Sequence, residues 1–208
     1  MKTLVSAIYQ DGYPFDILFK EVITTLDPND LKENQVLVVW GGEDISPTLY
    51  KKKVSSMTWA DRNPSVRDKI EWALMKRAAE IGIPIIGVCR GAQMLCALAG
   101  GYLIQHIENH SGSHRIKTVD GKNLKVNSIH HQMMMPSNTN HELVAWTDIP
   151  RSDVYYDEDK LVKVPNEPEL IYFNDVKGFG IQWHPEMMPV DHPTTNYLFD
   201  KLYDYSVV

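Results

Sequence analysis

The chain has 208 residues, a formal net charge of −6 and 43% hydrophobic residues, so its length favours a single domain over residues 1–208 with an ordinary globular core. No apolar run approaches the ~20 residues that a membrane helix needs, and the acidic balance lacks the basic footprint of a nucleic-acid-binding protein. Asp11 and Gly12 interrupt the apolar start, which we therefore interpret as a buried first strand and not as a signal peptide. We expect no membrane and no nucleic-acid partner.

The chain contains two cysteines, Cys89 and Cys96. If residues 90–99 form a helix, these cysteines lie ~10 Å apart along its axis. A disulfide requires Cα atoms within ~7 Å of each other, so both thiols are predicted to be free. Free thiols are typical of a reducing compartment, and we therefore expect the protein to be cytoplasmic.

Strands and helices alternate in the first half of the chain. The predicted elements are a strand at 3–9, a helix at Pro14–Leu26, a strand at Gln35–Trp40, a helix at Ser65–Ile81, a strand at Ile83–Val88 and a helix at Arg90–Ala99. The helices are predicted from apolar residues at helical spacing, and the almost wholly apolar run at 83–88 is typical of a parallel strand covered on both faces. This alternation predicts an α/β fold with a mostly parallel central sheet and helices on both faces.

The second half of the chain is richer in strands. Candidate strands are Leu143–Trp146, Leu170–Phe173 and Phe179–Trp183, and a final helix is predicted at Thr194–Tyr205. Residues 107–123 and 147–168 are polar and poorly periodic, and they are interpreted as loops. Ligand sites of α/β sheets lie beyond the carboxyl ends of the strands. Gly42, Cys89 and His184 each follow a predicted strand, so we expect them to converge on one edge.

The segment Gly87–Gly91 fits the pattern G-x-C-x-G between a strand and a helix. This pattern is the cysteine version of the nucleophile elbow, in which a tight turn requires small residues on both sides. The turn puts the Cys89 sulfur at a helix start, where unpaired amides and the helix dipole favour the thiolate. The amide of Arg90 then points to where an oxyanion would form. Cys89 is therefore a candidate nucleophile, whereas Cys96 is predicted to lie in the core.

His184 and Glu186 are two positions apart at the end of a predicted strand. Side chains at positions i and i+2 of an extended segment face the same way. The Glu186 carboxylate can therefore hold one imidazole nitrogen and leave the other to face the cysteine sulfur. This pair supplies the base and the orienting group that a cysteine nucleophile needs.

Four motifs occur in an order that resembles the class I glutamine amidotransferase-like family. They are GGEDISPTLY from Gly41, GVCRGAQ from Gly87, VNSIHHQ from Val126 and QWHPE from Gln182. The first and third are similar to the branch that contains gamma-glutamyl hydrolases and gamma-glutamyl-GABA hydrolases. The resemblance implies a flavodoxin-like three-layer sandwich that cleaves a gamma-glutamyl amide through a thioester, releases glutamate and an amine, and needs no cofactor.

The resemblance also implies roles for particular residues. It implies a catalytic triad of Cys89, His184 and Glu186, an oxyanion hole formed by the amides of Gly42 and Arg90, and a substrate pocket formed by Gln93, Ser128, His130 and His131. Two departures change the surroundings of this site. Trp40 stands where the family usually has proline, and Met133–Met135 follow the third motif where the branch often has glycine.

Several histidines were considered as metal ligands. His106, His110 and His114 are spaced by four, which on a helix would align them. The polar residues and the glycine between them argue against a helix, and no cysteine or carboxylate in the sequence pattern completes a site, so no metal is predicted. His130 and His131 are neighbours, and neighbours in a strand face opposite ways, so one of the two is expected in the pocket.

Two alternatives to a free-standing hydrolase remain open. The chain could be a glutaminase subunit that passes ammonia to a synthase partner, with the same chemistry at Cys89. It could instead carry an elbow cysteine for redox sensing or protein quality control, although related folds of that kind lack the His–Glu pair. The expected partner in the first interpretation is a small gamma-glutamyl substrate, and a homodimer is a reasonable expectation for such enzymes.

Overall fold

A computed structural model describes residues 1–8 and 11–208, so the predicted end of the first strand at Tyr9 lies outside the described residues. The strands in chain order are β1 (Thr3–Ala7), β2 (Val22–Thr25), β3 (Gln35–Val39), β4 (Ile85–Val88), β5 (Tyr102–Ile104), β6 (His106–Ile107), β7 (His114–Thr118), β8 (Asn123–Val126), β9 (Met133–Met135), β10 (His141–Thr147), β11 (Tyr155–Asp157), β12 (Lys160–Leu161), β13 (Pro168–Phe173) and β14 (Gly178–Ile181). The α-helices are α1 (Val66–Ile81), α2 (Arg90–Leu98) and α3 (Pro193–Asp204).

The described residues form a central sheet of nine strands in the order β2-β1-β3-β4-β14-β13-β10-β7-β8. The strands from β2 to β14 run parallel to one another, and the pairs from β14 to β8 are antiparallel. Every residue of β4 is buried, as expected for a parallel strand that is covered on both faces. The α/β fold class predicted from the sequence is confirmed, and the strand-rich second half extends the parallel sheet with an antiparallel region.

Helices cover both faces of the sheet. Val36 and Val38 of β3 belong to the core that contains Leu198 of α3. Leu37 of the same strand belongs to the opposite core, which contains Leu74 of α1 and residues of α2. Because strand side chains alternate between faces, the apolar run in β3 fills both cores at once. The predicted three-layer sandwich is therefore present.

Two small sheets adjoin the central sheet, β5-β9 and β12-β11-β6. They enclose a third cluster of buried side chains that includes Ile104, Met133 and Tyr155. Met133 and Met134 of β9 are fully buried. The methionine run after the third motif is consequently part of the core and does not form a pocket rim.

The predicted helix at Pro14–Leu26 is wrong. Residues Phe15–Leu18 form a short 3₁₀ turn, and Val22–Thr25 form strand β2, which pairs in parallel with β1 through Leu4 and Val22. Phe15 and Phe19 are buried, so their helical spacing comes from a turn followed by a strand at the edge of the sheet. Tertiary pairing outweighs local periodicity here.

The predicted loops at 107–123 and 147–168 are also wrong in part. Strand β7 lies inside the first and alternates strictly between buried and exposed residues, with Ile116 at its centre. The short strands β11 and β12 lie inside the second, and β11 pairs with β6. These strands are short and depend on partners far away in the chain, which explains why local composition did not reveal them.

The other predicted helices and strands match the structure to within a few residues, whereas strands β5, β6, β8 and β9 were not predicted. Ser65 caps α1 in a capping box with Asp68, as the sequence around Pro64 and Ser65 suggests. Both cysteines are free, as predicted, and burial raises the pKa of the fully buried Cys96 thiol to about 12. Among the described residues, no helix is both long and apolar enough to cross a membrane.

Candidate active site

Cys89 lies at a sharp turn between β4 and α2, with a φ of +48° that few non-glycine residues adopt. The glycines on either side make this turn possible. A Cβ atom on Gly87 would lie 2.5 Å from the carbonyl oxygen of Gly91, and one on Gly91 would lie 2.0 Å from the carbonyl oxygen of Val39. The backbone of Gly87 thus lies against that of Gly91, and Gly91 lies against strand β3. The strand–turn–helix geometry expected of the motif is present.

His184 follows β14, and its Nδ1 atom lies 2.6 Å from Oε1 of Glu186. Asn127 fixes the backbone of His184 through two hydrogen bonds. Its Oδ1 accepts from the His184 amide at 2.8 Å, and its Nδ2 donates to the His184 carbonyl at 2.9 Å. Within residues 1–8 and 11–208, the Nε2 atom of His184 has no hydrogen-bond partner. Glu186 therefore orients the imidazole through Nδ1, and the ring also interacts with Cys89.

The glycine loop after β3 brings these groups together. A Cβ atom on Gly41 would lie 2.7 Å from Cε1 of His184 and 3.5 Å from Cβ of Cys89. The strands β3, β4 and β14 are neighbours in the sheet, so the segments that follow them meet at one edge. The predicted convergence of Gly42, Cys89 and His184 on this edge is confirmed.

The electrostatic environment of His184 favours the imidazolium. Burial lowers its pKa, but the interactions with Cys89 and Glu186 raise it more, and the resulting pKa is about 10. A protonated imidazole beside a cysteine stabilises the thiolate, which is the nucleophilic form. His184 is therefore an imidazolium at neutral pH.

Arg67 of α1 holds the glycine loop through hydrogen bonds to its backbone. Its NH2 atom donates hydrogen bonds to the carbonyls of Gly41 at 2.9 Å and Trp40 at 3.3 Å. Gly42 has a φ of +154°, and a Cβ atom there would lie 2.1 Å from NH1 of Arg67. The position therefore requires glycine, and the guanidinium occupies the space that a side chain at Gly42 would need.

Two buried carboxylates of α1 connect this loop to the elbow. Glu71 accepts from Nε of Arg67 at 3.0 Å and, through its other oxygen, from the Arg90 guanidinium. Asp68 accepts from NH2 of Arg90 at 2.5 Å. We call Arg67, Asp68, Glu71 and Arg90 the arginine network. It fixes the two segments whose amides, at Gly42 and Arg90, are the predicted oxyanion donors.

Sequence reasoning missed this network, although a signal for it exists. Asp68 and Glu71 occupy the same helical stripe as the buried Leu74, Met75 and Ala78 of α1. Two acidic residues on the apolar face of a helix require partners, because an unpaired buried charge is costly. That pattern could have indicated a buried ion pair with an arginine nearby.

A cavity of about 390 Å³ opens beside the cysteine. Its walls include Gly42, Cys89, Gln93, His130, His131 and His184. His130 and His131 both line it, so the expectation that only one enters the pocket is wrong, because residues 127–132 are irregular and not a strand. Ser128, predicted to bind substrate, is absent from these walls; it is buried, and its hydroxyl lies 3.3 Å from Nδ1 of His110.

Asp44 organises one wall of this cavity. Its carboxylate accepts hydrogen bonds from His131, Gln132 and Thr58 at 3.0 Å each and from the amide of Trp59 at 2.9 Å. The exposed Trp59 ring stacks on His131 with ring centroids 4.0 Å apart. The sequence pattern did not single out Asp44 or Trp59, because only the fold brings residues 44, 58 and 131 together.

A second cavity, of about 370 Å³, lies on the other side of His184. Trp40, Ile129, Glu186 and Met187 line it. Trp40, which replaces the usual proline, is buried and donates from Nε1 to the Ser6 hydroxyl at 2.8 Å. His184 therefore borders two cavities, each lined by both polar and apolar side chains.

The histidines set aside as metal ligands have two different environments. His106 lies beside His131, with 3.3 Å between their Nδ1 atoms. His110 and His114 lie together elsewhere, with ring centroids 5.0 Å apart, and His130 is 4.5 Å from His110. Glu169 of β13 joins this second group. The expectation that no carboxylate completes a histidine site is thus wrong, because the sheet brings Glu169 to these residues from far along the chain.

The fold and the site define an α/β protein with a cysteine at a strand–helix elbow beside a histidine–glutamate pair. The sequence model of the family described as peptidase C26 matches residues 21–186, which is most of the chain. The chain therefore belongs to the peptidase C26 family.

Curated proteins similar to this chain carry related descriptions. A protein of Lactococcus lactis described as glutamine amidotransferase-like, YvdE, is 29% identical over 72% of this chain and 65% of its own length. Protein NtpR of Enterococcus hirae is 28% identical over 79% of this chain and 72% of its own length. The small chain of carbamoyl phosphate synthase from Bartonella bacilliformis is 24% identical over 70% of this chain and 33% of its own length. The chain thus spans less than two thirds of the first and third of these relatives.

Solved structures confirm the fold. The crystal structure of a glutamine amidotransferase from Thermotoga maritima superposes with a TM-score of 0.60, covers all of this chain and 86% of that one, and is 16% identical in sequence. PurLQS from the same organism gives a TM-score of 0.61 at 14% identity over 99% of both chains. At these identities the likeness concerns the fold alone.

Proposed function

We propose that the protein is a cysteine-dependent hydrolase that cleaves the gamma-glutamyl amide bond of a small conjugate and releases glutamate and an amine. The observation that supports it most directly is the 2.6 Å contact between Nδ1 of His184 and Oε1 of Glu186, in a ring that also interacts with Cys89. His184 and Cys89 line the same cavity. Membership of the peptidase C26 family supports hydrolytic chemistry at this cysteine.

In the proposed first step, the Cys89 thiolate attacks the gamma-carbonyl carbon. The amides of Gly42 and Arg90 stabilise the oxyanion that forms, and one such donor contributes ~100-fold or more to the rate. Arg90 is the first residue of α2, so its amide has no partner within the helix. His184 then protonates the departing amine, and the carbon–nitrogen bond breaks to leave a thioester on Cys89.

In the second step, water attacks the thioester. His184, which gave its proton to the amine, now takes a proton from the water as a general base. The carbon–sulfur bond breaks, glutamate leaves, and the thiolate–imidazolium pair is restored. Glu186 orients the imidazole in both steps and stabilises its charged form.

The cavity beside Cys89 is the proposed site of the glutamyl group. Gln93, His130 and His131 line it, and we assign the contacts to the glutamyl carboxylate and amine to Gln93 and His131. The Nε2 atom of Gln93 donates to the carbonyl of Gln132 at 3.3 Å, which orients the side-chain amide. The second cavity, beyond His184, is the proposed path of the amine.

A glutaminase subunit is the second candidate, and two observations favour it. The second cavity, beyond His184, is bordered by Ile129 and Met187, each 62% exposed, and exposed apolar side chains at a cavity mouth suit a protein partner. One curated relative is the small chain of carbamoyl phosphate synthase, a subunit of a larger enzyme by its name. In this alternative the amine is ammonia, and it passes to a synthase.

The test is glutamate release from a panel of gamma-glutamyl amides by wild-type protein and by the Cys89→Ala variant. The panel contains glutamine, gamma-glutamyl-GABA, gamma-glutamyl-putrescine and poly-gamma-glutamate. Cys96→Ala is the matched control, because Cys96 is a second buried thiol outside the site. We expect turnover of one conjugate that Cys89→Ala abolishes and Cys96→Ala retains.

The other outcomes separate the alternatives. Weak Cys89-dependent release from glutamine alone would support a partner-activated glutaminase. Full activity of Cys89→Ala, or no release from any compound together with selective oxidation of Cys89, would contradict the hydrolase.

A further inference from the structure

Beneath the floor of the cavity beside Cys89 lies a group of buried side chains to which the proposed reaction assigns no chemical role. We call His110, His114, His130, Glu167 and Glu169 the histidine cluster. All five are at least nine-tenths buried. Only His130 also lines the cavity that contains Cys89.

The charges within the histidine cluster are unbalanced. Glu167 and Glu169 are both buried, and across the described ranges neither forms an ion pair with a lysine or an arginine. Nε2 of His110 lies 3.4 Å from Oε2 of Glu167 and 3.7 Å from Oε1 of Glu169, and neither contact has the geometry of a hydrogen bond. Two carboxyl groups buried side by side require a positive charge close by.

Three atoms of the cluster point to where that positive charge would lie. Among the residues that the structure describes, Nε2 of His110, Nε2 of His130 and Oε2 of Glu169 have no hydrogen-bond partner. One ligand atom of each of these three residues lies within 4.8 Å of those of the other two. Orphaned polar atoms are rare in a folded core, so three that converge indicate a missing partner.

The other atoms of the same side chains are already held. Nδ1 of His130 lies 2.8 Å from the carbonyl of Gln132, so this nitrogen carries the proton and Nε2 presents a lone pair. Nδ1 of His110 lies 3.3 Å from the Ser128 hydroxyl, and Oε1 of Glu169 lies 3.0 Å from Nε2 of His114. Metal-binding histidines and carboxylates are held in the same way by groups behind them.

The tautomer of His130 agrees with this role, because the Gln132 carbonyl holds the proton on Nδ1 and leaves Nε2 without one. A neutral imidazole can donate its lone pair to a cation, whereas an imidazolium cannot. A divalent cation with neutral histidines would also balance the two buried carboxylates.

We propose that His110, His130 and Glu169 form a site for a divalent transition-metal ion, with zinc as the preferred occupant. Two imidazoles and one carboxylate are a ligand set that zinc commonly takes. Zinc with bonds of ~2.1 Å holds tetrahedral ligands ~3.4 Å apart, so binding draws the three side chains together by small rotations. The ion would hold His130 and, with it, the floor of the cavity. Zinc binding at this site does not require the gamma-glutamyl substrate.

The test is a titration of purified protein, stripped of metal with a chelator, with zinc chloride in the calorimeter. The Cys89→Ala variant is the background, because a thiolate beside His184 could itself bind zinc. Glu169→Gln and His110→Asn remove single ligands with little change in volume. His106→Asn is the matched control, since His106 lies beside His131 outside the cluster.

We expect one zinc ion per chain in the Cys89→Ala background and in the His106→Asn control. Loss of a second-shell partner typically weakens binding 10- to 100-fold, so we expect Glu169→Gln and His110→Asn to weaken it ~100-fold or more and Ser128→Ala ~10-fold. With Co²⁺ in place of zinc, intense visible bands of a tetrahedral site should appear and disappear with the same variants.

Three results would overturn the proposal. The first is the absence of stoichiometric zinc binding in the Cys89→Ala background. The second is binding that His106→Asn weakens and His110→Asn does not, which would assign the ion to the His106–His131 pair. The third is unchanged affinity in Glu169→Gln that circular dichroism shows to be folded.

Discussion

The arginine network and the histidine cluster are both groups of buried polar side chains. They differ in how many of their nitrogen and oxygen atoms have hydrogen-bond partners. In the arginine network two guanidiniums meet two carboxylates, and both oxygens of Glu71 and of Asp68 accept hydrogen bonds. In the histidine cluster two carboxylates meet three imidazoles, and several of the buried nitrogen and oxygen atoms have no partner within the described residues. A closed network holds a backbone in place, whereas an open one is suited to bind a ligand.

The first prediction concerns the removal of one carboxylate from the arginine network. Glu71→Ala leaves the Arg67 and Arg90 guanidiniums without their shared carboxylate, and the loss of one partner of a buried ion pair typically costs about 3–5 kcal/mol. We expect a decrease of this size in the free energy of unfolding measured by urea denaturation. The control is Glu80→Ala on the same helix, whose exposed side chain lies 3.9 Å from Arg77 and should cost less than about 0.5 kcal/mol. Equal costs for the two variants would show that the network contributes nothing.

The second prediction concerns the stability that zinc binding to the histidine cluster would add. Zinc at 100 times its dissociation constant should raise the free energy of unfolding of the Cys89→Ala protein by about 2.7 kcal/mol, because it binds the folded state alone. Glu71→Gln in the same background should show the same increase, since it alters only the arginine network. Glu169→Gln should show none, and an equal increase in that variant would place the ion elsewhere.

The third prediction concerns the hydrogen bonds that hold the backbone of His184. Asn127→Ala removes both hydrogen bonds to the His184 backbone, and we expect a loss of about 1–2 kcal/mol of stability because each bond contributes about 1 kcal/mol. A decrease in kcat should accompany it, because the imidazole loses its fixed position. Asn140→Ala, at an exposed side chain that donates to Asp175 at 2.9 Å, is the control for a surface amide. Identical kcat values for the two variants would contradict a positioning role.

The sequence is informative about one region and uninformative about the other. The elbow, the helices α1 and α2 and the strand β4 follow from strong periodicity and from glycine spacing, and Asp68 and Glu71 stand on a buried helical stripe. These signals are local, and local patterns survive in the fold when tertiary packing agrees with them.

The histidine cluster depends on pairing that local patterns cannot show. His114 enters through β7, which was interpreted as a loop, and Glu169 enters through β13, two strands away in the sheet. The spacing of His106, His110 and His114 would align them on a helix, which the residues between them argued against, and the structure places His106 apart from the other two, beside His131. Contacts between residues on antiparallel strands far apart in the chain produce no pattern in the local sequence.

The last prediction concerns how the stability and kcat/KM depend on pH through the His184–Glu186 pair. The pKa of His184 is about 10 in the folded protein, above the ~6.5 of an unperturbed histidine. The folded state therefore keeps a proton that the unfolded state releases, so this stabilisation is complete below pH ~6.5 and is lost as the pH rises through about 10.

Activity should follow the same proton, because the imidazolium protonates the departing amine. We expect an alkaline limb in kcat/KM near pH 10 for the wild-type protein in chelator-treated buffer. Glu186→Gln removes one of the groups that raise the pKa, so the limb should move to lower pH. Glu142→Gln, a carboxylate on β10 that accepts from Tyr205 at 2.8 Å, should leave it in place. A limb that stays near its wild-type position in Glu186→Gln would show that Glu186 does not hold the proton on His184, and its role would then be restricted to orienting the ring.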